Sequence, residues 1–162
     1  MMPSSQEWMP RERWDALVRG QGCPACAAVA SSEPANQDGF FVADLDVSRL
    51  RLAANQFVTG YCVLICHRHV REPYELSKQE RSMYFEDTMR VGRALEQVFN
   101  AVKLNFEILG NAVPHLHCHL KPRYYGDPAP NRIIDQNAEV VLLTPDQYHQ
   151  RIGLIRSALS CD

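Results

Sequence analysis

The chain has 162 residues, 46% of them hydrophobic, and its formal net charge at pH 7 is −2. This length predicts one domain over residues 1–162 with a sizeable core. The near balance of charges argues against a dedicated nucleic-acid or membrane-surface binder, and no apolar run approaches the roughly 18 residues that span a bilayer. The N-terminus lacks the apolar stretch of a secretory signal, so we expect a cytoplasmic protein without a membrane partner.

In chain order, the first predicted elements are a short helix and three strands. "PRERWDALVRG" predicts the helix, because Trp14, Leu17 and Val18 form an apolar stripe that Gly20 ends. "GCPAC" and a polar loop, "SSEPANQDG", follow it. The runs "FFVADLDV", "LRLAAN" and "YCVLIC" then have the composition of strands.

A long helix follows these strands. Ser77 and Glu80 have the spacing of a capping box. Beyond them, apolar or small side chains recur at steps of three and four, which predicts one buried face of a helix of about 20 residues. These positions are Tyr84, Thr88, Val91, Leu95 and Val98.

The segment 102–122 predicts an antiparallel hairpin. Apolar and polar residues alternate from Lys103 to Ile108, Gly110 and Asn111 signal a turn, and a second alternating run ends at Pro122. A loop and a predicted strand, "AEVVLL", come next. Together with the helices, the strands indicate an α+β fold with an antiparallel sheet.

The last predicted element is a C-terminal helix. Thr144 and Pro145 open it, and Gln147 stands at its third position, which is typical of a capped start. Its predicted buried stripe consists of Tyr148, Ile152, Ile155 and Leu159.

Three histidines alternate with apolar residues in "PHLHCHL". On a strand, His115, His117 and His119 share one face, which we expect to be exposed, and the intervening side chains face the core. Neighbours along that face lie roughly 6.6 Å apart, so one metal ion cannot collect all three. The spacing therefore indicates three different tasks. A neutral imidazole is a capable nucleophile toward phosphorus, and its neighbours could hold phosphate oxygens or fix its tautomer. Solvent-facing histidines without a task are the alternative, which strict alternation disfavours.

The six cysteines are expected to be reduced thiols. Cys62, Cys66 and Cys118 lie in apolar runs, where cysteine acts as a small buried hydrophobe. Cys23 and Cys26 have the spacing of half a zinc site. Two reduced thiols or a redox pair are the alternatives for these two residues.

"HLHCHLK" resembles the motif of the histidine triad (HIT) superfamily, His-φ-His-φ-His-φ-φ, where φ is apolar. "LNFEILGNAVPHLHCHLKPRY", "NQFVTGYCVLICHRHV" and "CPAC" are similar to segments of its bacterial members. The resemblance covers residues 23 to 125. Two features depart from it: Lys121 occupies the last apolar position, and Cys66-His67 replaces a common Pro-Lys.

The resemblance implies a HIT-like α+β fold with an antiparallel sheet, a long helix and a C-terminal helix, paired as a homodimer. It implies that His117 is the nucleophile, that His119 binds phosphate oxygens, and that His115 orients the site or binds a metal. Asn105 and Asn111 match positions that contact phosphate or nucleotide, and Asn55 matches one near the ribose. Zinc would be held by Cys23, Cys26, His69 and His115. Asn111 also fits ordinary turn chemistry.

The function implied is that of a nucleotide hydrolase or nucleotidyl transferase acting at the α-phosphate. Dinucleoside polyphosphates or nucleoside phosphoramidates would be the substrates. The intermediate would be a nucleotidyl group bound covalently to His117. A hexose-phosphate nucleotidyl transferase is a second reading, which the third histidine, His119, disfavours. A zinc-stabilised nucleotide-binding module with little turnover is a third, which the intact middle histidine disfavours. A nucleic-acid partner is not expected, since the chain has no basic patch.

Overall fold

Six strands form one antiparallel sheet in the spatial order β1-β2-β3-β4-β6-β5. The computed structural model describes residues 8–36, 38–135 and 139–161. The strands are β1 (Ala35–Asn36), β2 (Gly39–Asp44), β3 (Ser48–Ala53), β4 (Cys62–Cys66), β5 (Lys103–Glu107) and β6 (His117–Arg123). The helices in these ranges are α1 (Arg11–Val18), α2 (Pro24–Ala30), α3 (Lys78–Phe99) and α4 (Pro145–Leu159), with a 3-10 turn at Pro73–Glu75.

The long helix α3 begins and packs as its sequence predicts. The Ser77 hydroxyl accepts from the Glu80 amide, and the Glu80 carboxylate accepts from the Ser77 amide, so the capping box is complete. The helix ends at Asn100, whose backbone is left-handed with φ 52°. Four of the five predicted stripe positions are buried, and Val98 is half-buried.

The C-terminal helix α4 also matches its prediction. Thr144 and Gln147 form a second capping box around Pro145. The predicted stripe is buried in the main core together with α3 and the inner face of the sheet. Leu116, Cys118 and Leu120 belong to the same core, as their alternation with the histidines predicts. The expected α+β class is therefore confirmed.

The opposite face of the sheet is covered by α2. Ala25 and Ala28 of this helix pack against Ile65 of β4. The strand register places Arg51 of β3 beside Val63 of β4, and Val63 beside His119 of β6. Cross-strand neighbours point to the same side of a sheet, so these side chains all face α2. The space between α2 and the sheet is where the candidate site lies.

The sequence analysis left one helix unassigned, and its expectation of one strand was wrong. No element was predicted for residues 24–30, where α2 forms: Cys23 caps it, Pro24 occupies its first turn and alanines fill it. "AEVVLL" was expected to be a strand. Ala138 lies outside the described residues, and 139–143 are irregular. The Val141 amide there donates to a side chain, Asn55 Oδ1, instead of to a strand partner.

The hairpin is confirmed, but the exposed row of three histidines is not. Strands β5 and β6 pair antiparallel, from Lys103 opposite Arg123 to Glu107 opposite His119. His115 precedes β6 and is fully buried. The reason is its surroundings: the Leu116 amide donates to the Val70 carbonyl beyond β4, and the His115 ring is enclosed by Cys23, Cys26, His69 and the Cys66 carbonyl.

The described residues include no helix that is long and apolar enough to cross a membrane.

Candidate active site and metal centre

Four side chains from three separate parts of the chain converge beside α2. Cys23 and Cys26 flank its first turn, His69 follows β4, and His115 precedes β6. One ligand atom from each lies within 4.8 Å of all the others. Their nearest separations are 3.1 Å between the two Nδ1 atoms, 3.2 Å from Cys26 Sγ to His69 Nδ1, and 3.4 and 3.6 Å from His115 Nδ1 to the two sulfurs.

This cluster has the shape and chemistry of a tetrahedral metal site. Bonds of about 2.0–2.1 Å to nitrogen and 2.3 Å to sulfur place tetrahedral ligands roughly 3.3–3.8 Å apart, close to the observed separations. Burial, followed by the neighbouring Cys23, raises the pKa of the Cys26 thiol to about 11. A thiolate at this position therefore needs a cation, so these four residues could hold a metal ion.

The two histidines of the cluster are oriented by backbone carbonyls. His69 Nε2 lies 3.0 Å from the Val18 oxygen, and His115 Nε2 lies 2.7 Å from the Cys66 oxygen. A carbonyl only accepts, so each Nε2 carries the proton and each Nδ1 directs its lone pair into the cluster. His67, the other histidine after β4, lies elsewhere: its Nε2 is 3.3 Å from Asp44 Oδ1. Of the two, His69 is therefore the candidate ligand.

His117 and His119 face the cavity from β6. The hydrogen bonds of their Nδ1 atoms assign them opposite tautomers. His117 Nδ1 lies 2.6 Å from the His115 carbonyl oxygen, so it donates and leaves the Nε2 lone pair free. His119 Nδ1 lies 2.7 Å from the Tyr61 hydroxyl. We assign the phenol as donor here, because the imidazole nitrogen is the stronger acceptor. His119 then carries its proton on Nε2.

The surroundings keep both imidazoles neutral at physiological pH. Burial lowers the pKa of His117. Burial, reinforced by His117 and by the Lys121 ammonium, lowers the pKa of His119 to about 4. Lys121 is itself held by an ion pair with Glu107, with 2.7 Å between Nζ and Oε2. A neutral His117 has the nucleophilic lone pair, and a neutral His119 retains one N–H for donation.

A cavity of about 650 Å³ lies in front of these two histidines. This is the size range of small-molecule sites. The sheet, α2 and the segment 109–113 enclose it. Its lining includes Pro24, Ala25, Ala28, Asp38, Arg51, Asn55, Tyr61, Val63, Ile65, Asn111, His117 and His119.

The three asparagines named from the sequence have different positions. Asn55 and Asn111 line the cavity. The Asn55 oxygen accepts from the Phe57 and Val141 amides, which fixes its orientation. Asn105 is not among the lining residues, and its Oδ1 accepts from Arg123 Nη1 at 2.6 Å. Asn105 thus contacts Arg123 in this arrangement, and its contact with a nucleotide stays a prediction.

Two site residues were missed by the sequence analysis. Tyr61 follows a glycine and precedes an apolar strand, so it looked like an ordinary strand start. Arg51 lies in "SRLRLA", where arginines at alternate positions indicate a strand face that is not simply core. That alternation was a usable signal for Arg51. No signal in the sequence indicated that Tyr61 pairs with His119, because 58 positions separate the two residues.

Comparison with known proteins identifies relatives of this arrangement. The sequence model of the HIT domain matches residues 35–126. "Protein hit" of Bacillus subtilis is 28% identical over 112 residues, which cover 64% of this chain and 72% of the relative. An asymmetrical bis(5'-nucleosyl)-tetraphosphatase of Schizosaccharomyces pombe is 26% identical over 114 residues, 67% of this chain and 62% of the relative.

Solved structures agree with these matches. A histidine triad protein of Bradyrhizobium japonicum has a TM-score of 0.70 and 25% identity, over 75% of this chain and 91% of its own. A Zn-bound histidine triad family protein of Mycobacterium smegmatis has a TM-score of 0.63 and 23% identity, over 86% of this chain and 94% of its own.

The tautomers can be tested by nitrogen-15 NMR of the histidine side chains. We expect His117 with its proton on Nδ1 and His119 with its proton on Nε2. Tyr61→Phe removes the donor to His119 Nδ1, so His119 should become a mixture of tautomers while His117 is unchanged. Tyr124→Phe is the control, because that hydroxyl bonds the Thr59 carbonyl. A single Nε2–H form of His119 in Tyr61→Phe would contradict the assignment.

Proposed function

The chain belongs to the histidine triad (HIT) family, whose model matches more than half of it, and we propose that it cleaves or transfers a nucleoside monophosphate group. The observation that carries the proposal is the pair of imidazoles on β6 whose Nδ1 atoms have different partners, a carbonyl oxygen for His117 and a phenol for His119, from which we assign opposite tautomers. His117 offers a lone pair to the cavity and His119 offers an N–H beside it, with their ring centres 4.9 Å apart. This is what attack on a phosphate and stabilisation of its oxygens require.

The proposed reaction has two displacement steps. His117 Nε2 attacks the α-phosphorus, the bond to the leaving group breaks, and the leaving group takes the electron pair, together with a proton from solvent when it is an amine. A histidine-linked nucleotidyl group results. Water then attacks the same phosphorus and loses a proton to solvent. The N–P bond breaks, its electron pair returns to Nε2, and the mononucleotide leaves with His117 restored. An alcohol or phosphate in place of water would make the enzyme a transferase.

The other residues have supporting tasks in this proposal. His119 Nε2–H donates to a non-bridging oxygen as negative charge grows there. The proton of His117 on Nδ1 remains bonded to the His115 carbonyl, so the developing imidazolium is stabilised without a carboxylate. Asn55 and Asn111 lie in the cavity where the sugar and phosphate would pass.

Dinucleoside polyphosphates or nucleoside phosphoramidates are the proposed substrates. The relative named as a tetraphosphatase supports the first class, because it shares the matched region of the chain. A nucleotide-binding module with little turnover is the second candidate. The observation that favours it is the cluster of four metal-ligating side chains, which has no task in catalysis. Release of a mononucleotide from a labelled dinucleotide distinguishes the two. A cytoplasmic location belongs to the same proposal, and the six free cysteines support it.

Substitution of His117 tests the nucleophile. His117→Ala should abolish turnover of a labelled dinucleotide, and His117→Asn should do nearly the same, since an amide cannot form the covalent intermediate. His119→Ala should slow turnover by about 10²–10³-fold, as expected for one lost oxyanion donor. His149→Ala, an exposed position on α4, is the control and should be fully active.

An intermediate trapped by early quenching should be stable to base, labile to acid and located on His117. Near-normal turnover by His117→Ala, or label on another residue, would sink the proposed mechanism. His117→Asn should still bind a mononucleotide. This result would show that the variant has lost the reaction and not the binding site.

We propose zinc as the metal of the four-residue cluster. Two thiolates and two imidazoles in a tetrahedron are a typical zinc donor set. The described Zn-bound neighbour from Mycobacterium smegmatis is consistent with that choice. The site would be structural, because all four positions are filled by protein and none is left for substrate. It would tie α2, the roof of the cavity, to the segment after β4 and to the segment before β6.

Metal analysis tests this proposal. Protein purified without chelators should contain about one zinc per chain. Cys26→Ser should lose most of it and unfold at a temperature lower by about 10 °C or more, since a structural zinc contributes several kcal/mol of folding free energy. Cys161→Ser changes an exposed cysteine outside the cluster and should retain zinc and stability. Zinc-free wild type, with the same stability as Cys26→Ser, would show that the cysteines are simply reduced thiols.

We also propose that two chains pair through α3 and β5. Phe85 and Met89 of α3 are 39% and 45% exposed, and Phe106 and Ile108 are 41% and 38% exposed. The Phe106 ring lies over Gly92, so the two groups form one continuous apolar surface. Exposed surfaces of this kind mark interfaces.

Sedimentation tests the pairing. Wild type should be a dimer at micromolar concentration, and the double variant Phe85→Glu/Met89→Glu should be a monomer, because four charges would be buried across the interface. Leu154→Glu alters an exposed apolar residue on α4 and should leave the dimer intact. A monomeric wild type would exclude the proposed interface.

A further inference from the structure

Arg51 is the one buried arginine in the described chain that has guanidinium nitrogens without a hydrogen-bond partner. Arg51 is 4% exposed, and it lines the cavity. Nη2 donates to Asn36 Oδ1 at 2.9 Å and to the Gly39 carbonyl at 2.7 Å. Nε and Nη1 are buried and have no hydrogen-bond partner. The guanidinium is therefore anchored at one nitrogen and unsatisfied at the other two.

Buried N–H groups without acceptors destabilise the folded chain unless a ligand supplies the acceptors. Buried donors without acceptors forfeit their hydration, and a buried cation does so more strongly. Both anchors of Nη2 are neutral oxygens. Burial and then Arg49 lower the pKa of Arg51, and Asp38 alone opposes them, yet a guanidinium stays charged. Asp38 also lines the cavity. A ligand with acceptor atoms would satisfy Arg51.

The position of Arg51 identifies which part of a nucleotide meets it. Arg51 pairs with Val63 and Val63 with His119, so two strand spacings of about 4.8 Å each separate Arg51 from the phosphate end. Val63 and Ile65 form an apolar floor between them, and Ala25 and Ala28 of α2 form the roof. A flat base fits between two apolar walls, with its polar edge toward Arg51.

We propose that Arg51 selects guanine as the base. This inference rests on the proposed function, because it assumes that the α-phosphate lies at His117. The unpartnered N–H groups donate to the O6 and N7 acceptors of guanine. The Asp38 carboxylate, on the same side of the cavity, accepts from N1–H and the exocyclic amine. Adenine presents an amino group where guanine has O6, so its donors would face the donors of Arg51.

Equilibrium binding of mononucleotides tests the selection without requiring turnover. The wild-type chain should bind GMP about 10–100-fold more tightly than AMP, the discrimination typical of a buried arginine on guanine. IMP retains O6, N7 and N1–H and should bind within a few-fold of GMP. Arg51→Met should bring the GMP-to-AMP ratio close to one, mainly by weakening GMP. Arg13→Met, on the exposed face of α1, should leave the ratio unchanged.

The outcomes separate this inference from the proposed function. Equal wild-type affinities for GMP and AMP, or equal weakening of both by Arg51→Met, would overturn the selection and place Arg51 on phosphate or ribose. A thermal melt establishes that Arg51→Met is folded, and Arg51→Lys serves if it is not, with the ratio again expected to fall. Guanine preference without release of mononucleotide from any dinucleotide would support the base site while refuting the reaction.

Discussion

The register between β4 and β6 is the constraint on which the rest of the site depends. It places Ile65 beside His117 and Val63 beside His119, while Leu64 and Cys118 point together into the core. Side chains alternate along a strand, so a slip of one residue would bury both histidines and expose the core positions. The packing of Cys118 and Leu120 in the main core therefore holds the two imidazoles in the cavity. The same strand register therefore determines both the packing of the core and the position of the two imidazoles.

The metal cluster adds a second constraint, on the roof of the cavity. Helix α2 extends only from Pro24 to Ala30, too short to be stable by itself. Its contact with Ile65 is small, and the four clustered ligands join its first turn to the segments after β4 and before β6. His115 shares in both parts of the site. Its Nδ1 belongs to the cluster, and its carbonyl oxygen fixes the tautomer of His117. If the cluster holds the proposed zinc, its loss would alter the position of the proposed nucleophile through the backbone of His115.

The cavity is electrostatically divided. At one end, burial and Lys121 keep the histidines neutral, which suits attack on phosphorus and donation to its oxygens. At the other end, Arg51 stays charged, and its Nε and Nη1 lack partners. Between them the walls are apolar. Under the proposed function, such a cavity would bind a nucleotide in one direction only, because the phosphate and the edge of the base need different partners. Lys121 replaces an apolar residue of the family motif, and its ion pair with Glu107 shows how the sheet accommodates that charge.

The sequence by itself determined the features that depend on neighbouring residues. Both capping boxes, the buried stripes of α3 and α4, and the alternation that points His117 and His119 away from the core all follow from local chemistry and strand or helix period. The motif also identified the family and, by resemblance, the four clustered ligands. Tertiary structure decided the rest. The burial of His115, the irregular path of 139–143, the bond of Asn105 to Arg123 and the unsatisfied Arg51 each depend on partners far away in the chain. Periodicity reports which face a side chain occupies, but what that face meets is set by long-range pairing, which a single sequence does not encode locally.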